Sequence, residues 1–90
     1  MAESKVTVLY FSAPWCGPCR ILGPVVNDWI IENTDIEITK IEVDENRELA
    51  QEHNVGSIPT LIFLKDGVEA KRLRGVQSKK ALEATFNEVK

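Results

Sequence analysis

Val6-Thr7-Val8-Leu9-Tyr10-Phe11-Ser12-Ala13-Pro14-Trp15-Cys16-Gly17-Pro18-Cys19 holds both cysteines of the chain and the change of periodicity that frames them. Val6 to Phe11 is short, β-branched and aromatic, and almost continuously apolar, which suits a strand buried on both faces. Ser12 to Trp15 reads as a loop. Beyond Cys19, apolar residues recur at helical spacing: Ile21, Leu22, Val25, Val26, Trp29 and Ile30. Two thiols thus stand two residues apart where a strand gives way to a helix. There they can form, break and exchange a disulfide.

Pro24 lies inside the helical stripe, which continues in phase beyond it. The spacing therefore predicts a kinked helix rather than a terminated one. Ile36 to Val43 reads as a second strand with apolar side chains on both faces. Asp44-Glu45-Asn46 leads into a short helix, about Arg47 to His53, with acidic charge near its N-terminus. Thr60 to Leu64 is a third strand, Asp66-Gly67 a hairpin turn, and Val68 to Arg74 the returning fourth strand. Ser78 suits an N-cap, and Ala81, Leu82, Thr85, Phe86 and Val89 form the stripe of a last helix. The order β-α-β-α-β-β-α implies an α/β fold. Its sheet is a four-stranded mixed one, with a right-handed parallel crossover and helices on both faces.

With 90 residues the chain is read as a single domain, 1–90. A formal charge of −3 and the absence of a basic stripe with interleaved aromatics argue against nucleic acid. The opening Met1 to Lys5 is polar, and the apolar run after it is too short for a signal-peptide core or a membrane span. A cytoplasmic protein without membrane contact is expected, and in that reducing setting a lone CxxC suits catalysis better than stapling. A closed zinc site needs four ligands, whereas the chain offers only Cys16, Cys19 and His53. No metal is expected. A purely structural bond closing so short a loop would stabilise little.

The order of elements and a set of motifs together resemble the thioredoxin family over nearly the whole chain. The set is Trp15-Cys16-Gly17-Pro18-Cys19, Pro24, Val43-Asp44, Ile58-Pro59-Thr60, Asp66-Gly67 and Arg74-Gly75-Val76. The resemblance implies a protein thiol–disulfide oxidoreductase, a dithiol carrier that reduces client disulfides with no bound cofactor beyond a redox-active Cys16–Cys19 disulfide. A thioredoxin reductase-like partner would recharge it, and a monomer is expected.

Cys16 would attack from the helix N-terminus, where free N–H groups and the helix dipole favour a thiolate. Cys16 is expected to be the exposed nucleophile, and Cys19, one turn on, the more buried thiol that resolves the mixed disulfide. Pro18 suits the first helical turn, and Gly17-Pro18 goes in the family with reducing behaviour. Only about 5–6% of X–Pro bonds in folded proteins are cis, so trans is the default at Pro59. The family's matching proline is cis and packs beside the cysteines, which reverses that expectation. Ile58 would then offer backbone to an extended client segment, with Trp15, Gly75 and Val76 completing the contact surface.

Three departures accompany the match. The family's usual first strand and helix have no counterpart. Its tryptophan four positions before the first cysteine is Ser12. Its buried acid six positions before that cysteine is Tyr10. A tyrosine is a poor base near neutrality, so a water, or Lys40, is expected to serve protons at Cys19. Without the first strand, Ile36 to Val43 becomes a sheet edge guarded by Glu37, Lys40 and Glu42. Two other functions stay open on sequence: a binding subunit of this fold with incidental cysteines, and a glutaredoxin-like reductase working with glutathione.

Overall fold

A computed structural model describes residues 5–90. Seven elements follow in chain order: β1 Val6–Ser12, α1 Gly17–Glu32, β2 Glu37–Glu42, α2 Arg47–Glu52, β3 Thr60–Lys65, β4 Val68–Arg74 and α3 Lys79–Val89. The strands form one mixed sheet in the order β2-β1-β3-β4. β1 pairs parallel with β2 and antiparallel with β3, and β3 pairs antiparallel with β4.

β1 alternates strictly between two apolar clusters, which explains its nearly unbroken apolar sequence. Val6, Val8 and Tyr10 face α1 and α3 through Leu22, Val26, Trp29, Leu82 and Phe86. Leu9 and Phe11 face α2 through Ala50 and Leu49. Helices thus cover both faces, two on one side and one on the other, as the element order implies.

The helix ends follow local chemistry. Ser78 Oγ accepts the Ala81 N–H at 3.0 Å and starts α3. α1 runs on through Pro24 to Glu32, since its apolar stripe continues beyond the proline. The β3–β4 hairpin turns through Asp66 and Gly67, both at positive φ, the pair of conformations a tight turn between twisted strands requires.

Five boundaries or faces differ from the sequence reading. β1 takes in Ser12, which pairs with Glu42 of β2 instead of opening the loop. β2 is shorter than Ile36 to Val43: the Ile36 N–H turns back to the Asn33 carbonyl, while the Val43 N–H still reaches Ser12. β3 runs one residue further, to Lys65. α2 stops at Glu52, with His53 as its C-cap. Ile21 is 62% exposed: Cys19, Leu22, Val26 and Trp29 form the buried stripe of α1, and Ile21 falls outside it.

Arg72 of β4 ties down the end of α2. Its guanidinium donates to the carbonyls of His53 and Asn54 and to the Glu69 carboxylate. That hydrogen bond, together with the positive charge, holds the Glu69 carboxyl below its ordinary range. β2 is an outer strand, and Lys5 pairs with Glu37 at 2.6 Å along it.

Candidate active site

The site forms where β1 ends and α1 begins. Ser12 closes β1, Ala13 to Trp15 form the loop, and the Cys16 N–H donates to the Ala13 carbonyl at 3.2 Å. Cys16 is the N-cap of α1 with extended backbone, and its sulfur accepts the Cys19 N–H at 3.2 Å. Pro18 sits in the first turn, where a missing N–H leaves no helical bond unmade. Cys16 and Cys19 are joined as a disulfide, with Cα atoms 5.2 Å apart.

Exposure does not separate the two cysteines: Cys16 is 5% exposed and Cys19 6%. The sequence expectation of an exposed Cys16 and a more buried Cys19 is corrected here. Both sulfur-bearing residues pack against Ala13, Val43 and Ile58 in one small cluster. What differs is the partner set. Cys16 Sγ lies 3.9 Å from the Ile58 carbonyl oxygen and takes an N–H from the helix. Cys19 lies on the Tyr10 side, its carbonyl accepting the Tyr10 hydroxyl at 3.4 Å.

Three loops meet around Cys16. The Ile58–Pro59 bond is cis, and Pro59 is fully buried. The Gly75 N–H donates to the Pro59 carbonyl at 2.9 Å, and Gly75 takes φ +81, a conformation that favours glycine. Trp15 is 65% exposed and Val76 is also exposed. The geometry brings Trp15, Ile58, Pro59, Gly75 and Val76 around one end of the sheet.

Asp44 is the residue whose role the sequence does not reveal. Its carboxylate accepts the Trp15 indole N–H at 2.6 Å, across the tight turn that follows β2. The only sequence signal is the Val43-Asp44 pair itself. This bond fixes the orientation of an exposed ring. Asp44→Ala is expected to raise KM for a protein disulfide several-fold with kcat nearly unchanged, as loss of a charge-assisted bond of about 1.5–3 kcal/mol, weakened by solvent, implies. An unchanged KM would show that the ring holds its place without the carboxylate.

Lys40 and Tyr10 sit opposite each other in the β1–β2 register. The Lys40 ammonium donates to Asn27 Oδ1 at 3.1 Å, and the Tyr10 ring is buried. Burial raises the Tyr10 pKa, and a hydrogen bond with Ser12 offsets this in part. Among the described residues no group of three or more His, Cys, Asp or Glu side chains could hold a metal ion.

A family model described as thioredoxin matches residues 1–88. The chain belongs to the thioredoxin family. The thioredoxin of Bacillus subtilis is 45% identical over 83 residues, covering 91% of this chain and 80% of that protein. That of Mycobacterium tuberculosis is 40% identical over 90 residues, covering 99% of this chain and 78% of that one. Among solved structures, Fasciola hepatica thioredoxin superposes with a TM-score of 0.89 at 38% identity, covering 96% and 82% of the two chains. Nicotiana alata thioredoxin gives 0.90 at 40% identity, covering 96% and 74%. As a member of this family, the chain is a dithiol thiol–disulfide oxidoreductase that uses a redox-active disulfide, and Cys16 and Cys19 stand at bonding distance to form it. No helix among the described residues is long and apolar enough to cross a membrane.

Proposed function

We propose that this protein reduces protein disulfides by two ordered exchanges, with Cys16 attacking and Cys19 resolving. The observation that carries the order is the N-cap: Cys16 Sγ accepts the Cys19 N–H at the start of α1, where the positive end of the helix favours a thiolate once the pair is reduced. Attack on the client disulfide forms a mixed disulfide at Cys16 and releases one client thiolate. Cys19 then attacks the Cys16 sulfur, releasing the second client thiol and leaving the domain oxidised. Gly17 and Pro18 shape the turn that keeps the two sulfurs in reach, and Tyr10 and Lys40 support Cys19 from the sheet.

Clients dock as extended segments against the surface of Trp15, Ile58, Pro59, Gly75 and Val76. Trp15 supplies apolar area there, and the Ile58 backbone supplies hydrogen bonds. Residues 1–90 act as one domain and as a monomer, because charged side chains line the β2 edge. The working compartment is the cytoplasm, and a thioredoxin reductase returns the domain to its dithiol form.

Insulin disulfide reduction, driven in turn by a thioredoxin reductase with NADPH and by glutathione, tests the partner assignment. Rapid turnover with the reductase and at least about tenfold less with glutathione is expected, since a monothiol must reduce the pair through two successive bimolecular exchanges. Faster turnover with glutathione would assign the protein to glutaredoxin-like chemistry instead.

A further inference from the structure

The second exchange requires a proton to leave. Cys19 resolves the mixed disulfide only as a thiolate, and Cys19 is buried. The β1–β2 register decides what surrounds it. Tyr10 lies opposite Lys40, and Ser12 opposite Glu42. Strand side chains alternate faces, so these four share one face, and Tyr10 places that face against α1. An open cleft of about 480 Å³ runs along it, its walls including Tyr10, Cys19, Arg20, Lys40, Glu42 and Glu45. Trp15, Ile58 and Val76 take no part in this cleft, so it reaches Cys19 apart from the client surface.

The groups facing Cys19 can be sorted by whether they accept a proton. The Tyr10 hydroxyl already donates to the Cys19 carbonyl, and burial keeps it neutral. Arg20 and Lys40 are donors with no free lone pair: Arg20 holds the Pro14 carbonyl and Lys40 holds Asn27. An ammonium cannot act alone as a base, so Lys40 is set aside for that step. Two carboxylates remain. Glu45 is exposed on the turn beyond the strand, whereas Glu42 is half-buried and projects from the shared face. The cleft is polar and roomy enough for water.

We propose that Glu42, acting through water in this cleft, accepts the Cys19 proton during the resolving exchange. The inference rests on the reading that Cys16 attacks and Cys19 resolves. The Cys19 S–H proton passes through water to the Glu42 carboxylate. The Cys19 electron pair forms the S–S bond to Cys16 while the Cys16–client S–S bond breaks. The departing client sulfur carries away the electron pair and is protonated by solvent. Both cysteines are oxidised together and the client disulfide is reduced by two electrons. Arg20 and Lys40 favour the thiolate as it forms.

Stopped-flow reaction of the reduced protein with the chromogenic disulfide dithionitrobenzoate resolves the two steps. Attack by Cys16 releases the first chromophore at a rate that depends on concentration. Resolution by Cys19 releases the second at a rate that does not. At about pH 6, where a free thiol keeps its proton, Glu42→Gln should slow the second release about tenfold or more and leave the first unchanged. Added imidazole should restore the rate. A second release within about twofold of the parent from about pH 5 to 8 overturns the proposal. So does equal slowing of both releases, a failure of imidazole to rescue, or the same loss in Glu45→Gln but not in Glu42→Gln. Cys19→Ser should keep the first release and lose the second. Loss of the first release there would sink the order of attack itself, separately from Glu42.

Discussion

Cys16→Ser is expected to lower insulin disulfide reduction by about a thousandfold or more, because an alcohol does not replace a thiolate as the attacking group. Cys19→Ser should fail differently. Its Cys16 still attacks, so the protein accumulates one covalently bound client per chain, released only by added thiol. Mass spectrometry of the trapped adduct separates the two variants. Both substitutions are small and leave the surrounding packing of Ala13, Val43 and Ile58 in place. Loss of activity in either variant is therefore not explained by unfolding, and circular dichroism checks this. An adduct on Cys16→Ser and none on Cys19→Ser would reverse the assignment. The distinction has to be made chemically, since the two cysteines are equally buried in the oxidised protein. Only their partners differ, a helix N–H for Cys16 and the Tyr10 side of the sheet for Cys19.

The parts of this site that a sequence carries well are those set by neighbours in the chain. The i to i+3 spacing of Cys16 and Cys19, the proline in the first turn, the Ser78 cap and the Asp66-Gly67 turn all act over one turn of backbone. Their geometry follows from residue type. The strand period of two also separates the faces of β1, with Val6, Val8 and Tyr10 on one and Leu9 and Phe11 on the other. What sequence does not carry is side-chain reach across the fold. The Asp44–Trp15 bond spans 29 positions, and the Arg72 staple on α2 spans 18 and 19. Neither has a spacing rule. Ile21 shows the same limit on one helix: an apolar residue adjoining the stripe reads as core, and only the packing of α1 on the sheet decides which edge of the stripe is covered. Tyr10 could be flagged by resemblance, but its meaning depends on the parallel register that sets Lys40 and Glu42 beside it.

Trp29→Ala should cause the largest loss of stability of any single core truncation here. The ring is fully buried on α1, inclined to Phe63 of the sheet at 5.9 Å and edge-on to Phe86 of α3 at 6.3 Å. It therefore joins three elements rather than two. Its indole N–H also donates to the Glu83 carboxylate at 2.9 Å, so truncation leaves both a cavity and a carboxylate without its donor. Truncations of this size cost about 3–5 kcal/mol. At roughly 0.05–0.15 kcal/mol per residue, a domain of this length has only about 5–13 kcal/mol in total. Each kcal/mol corresponds to about 4–8 °C in a domain this small, so Tm should fall by at least about 12 °C. Trp29→Phe is the informative companion. It retains aromatic packing but removes the donor to Glu83, which is partly exposed to solvent, and should cost only about 1–2 kcal/mol. If both variants lose the same amount, the Glu83 bond rather than the packing dominates. If Trp29→Ala loses less than about 1 kcal/mol, the packing of α1 and α3 on the sheet does not depend on this ring. The effect reaches the chemistry because Cys19 and Trp29 share the buried stripe of α1. A helix loosened at Trp29 holds its N-terminus less firmly against Ala13 and Ile58, and the two sulfurs spend less time in bonding reach. Trp29→Ala should accordingly slow the concentration-independent resolving step before it affects the first attack, even well below its melting temperature.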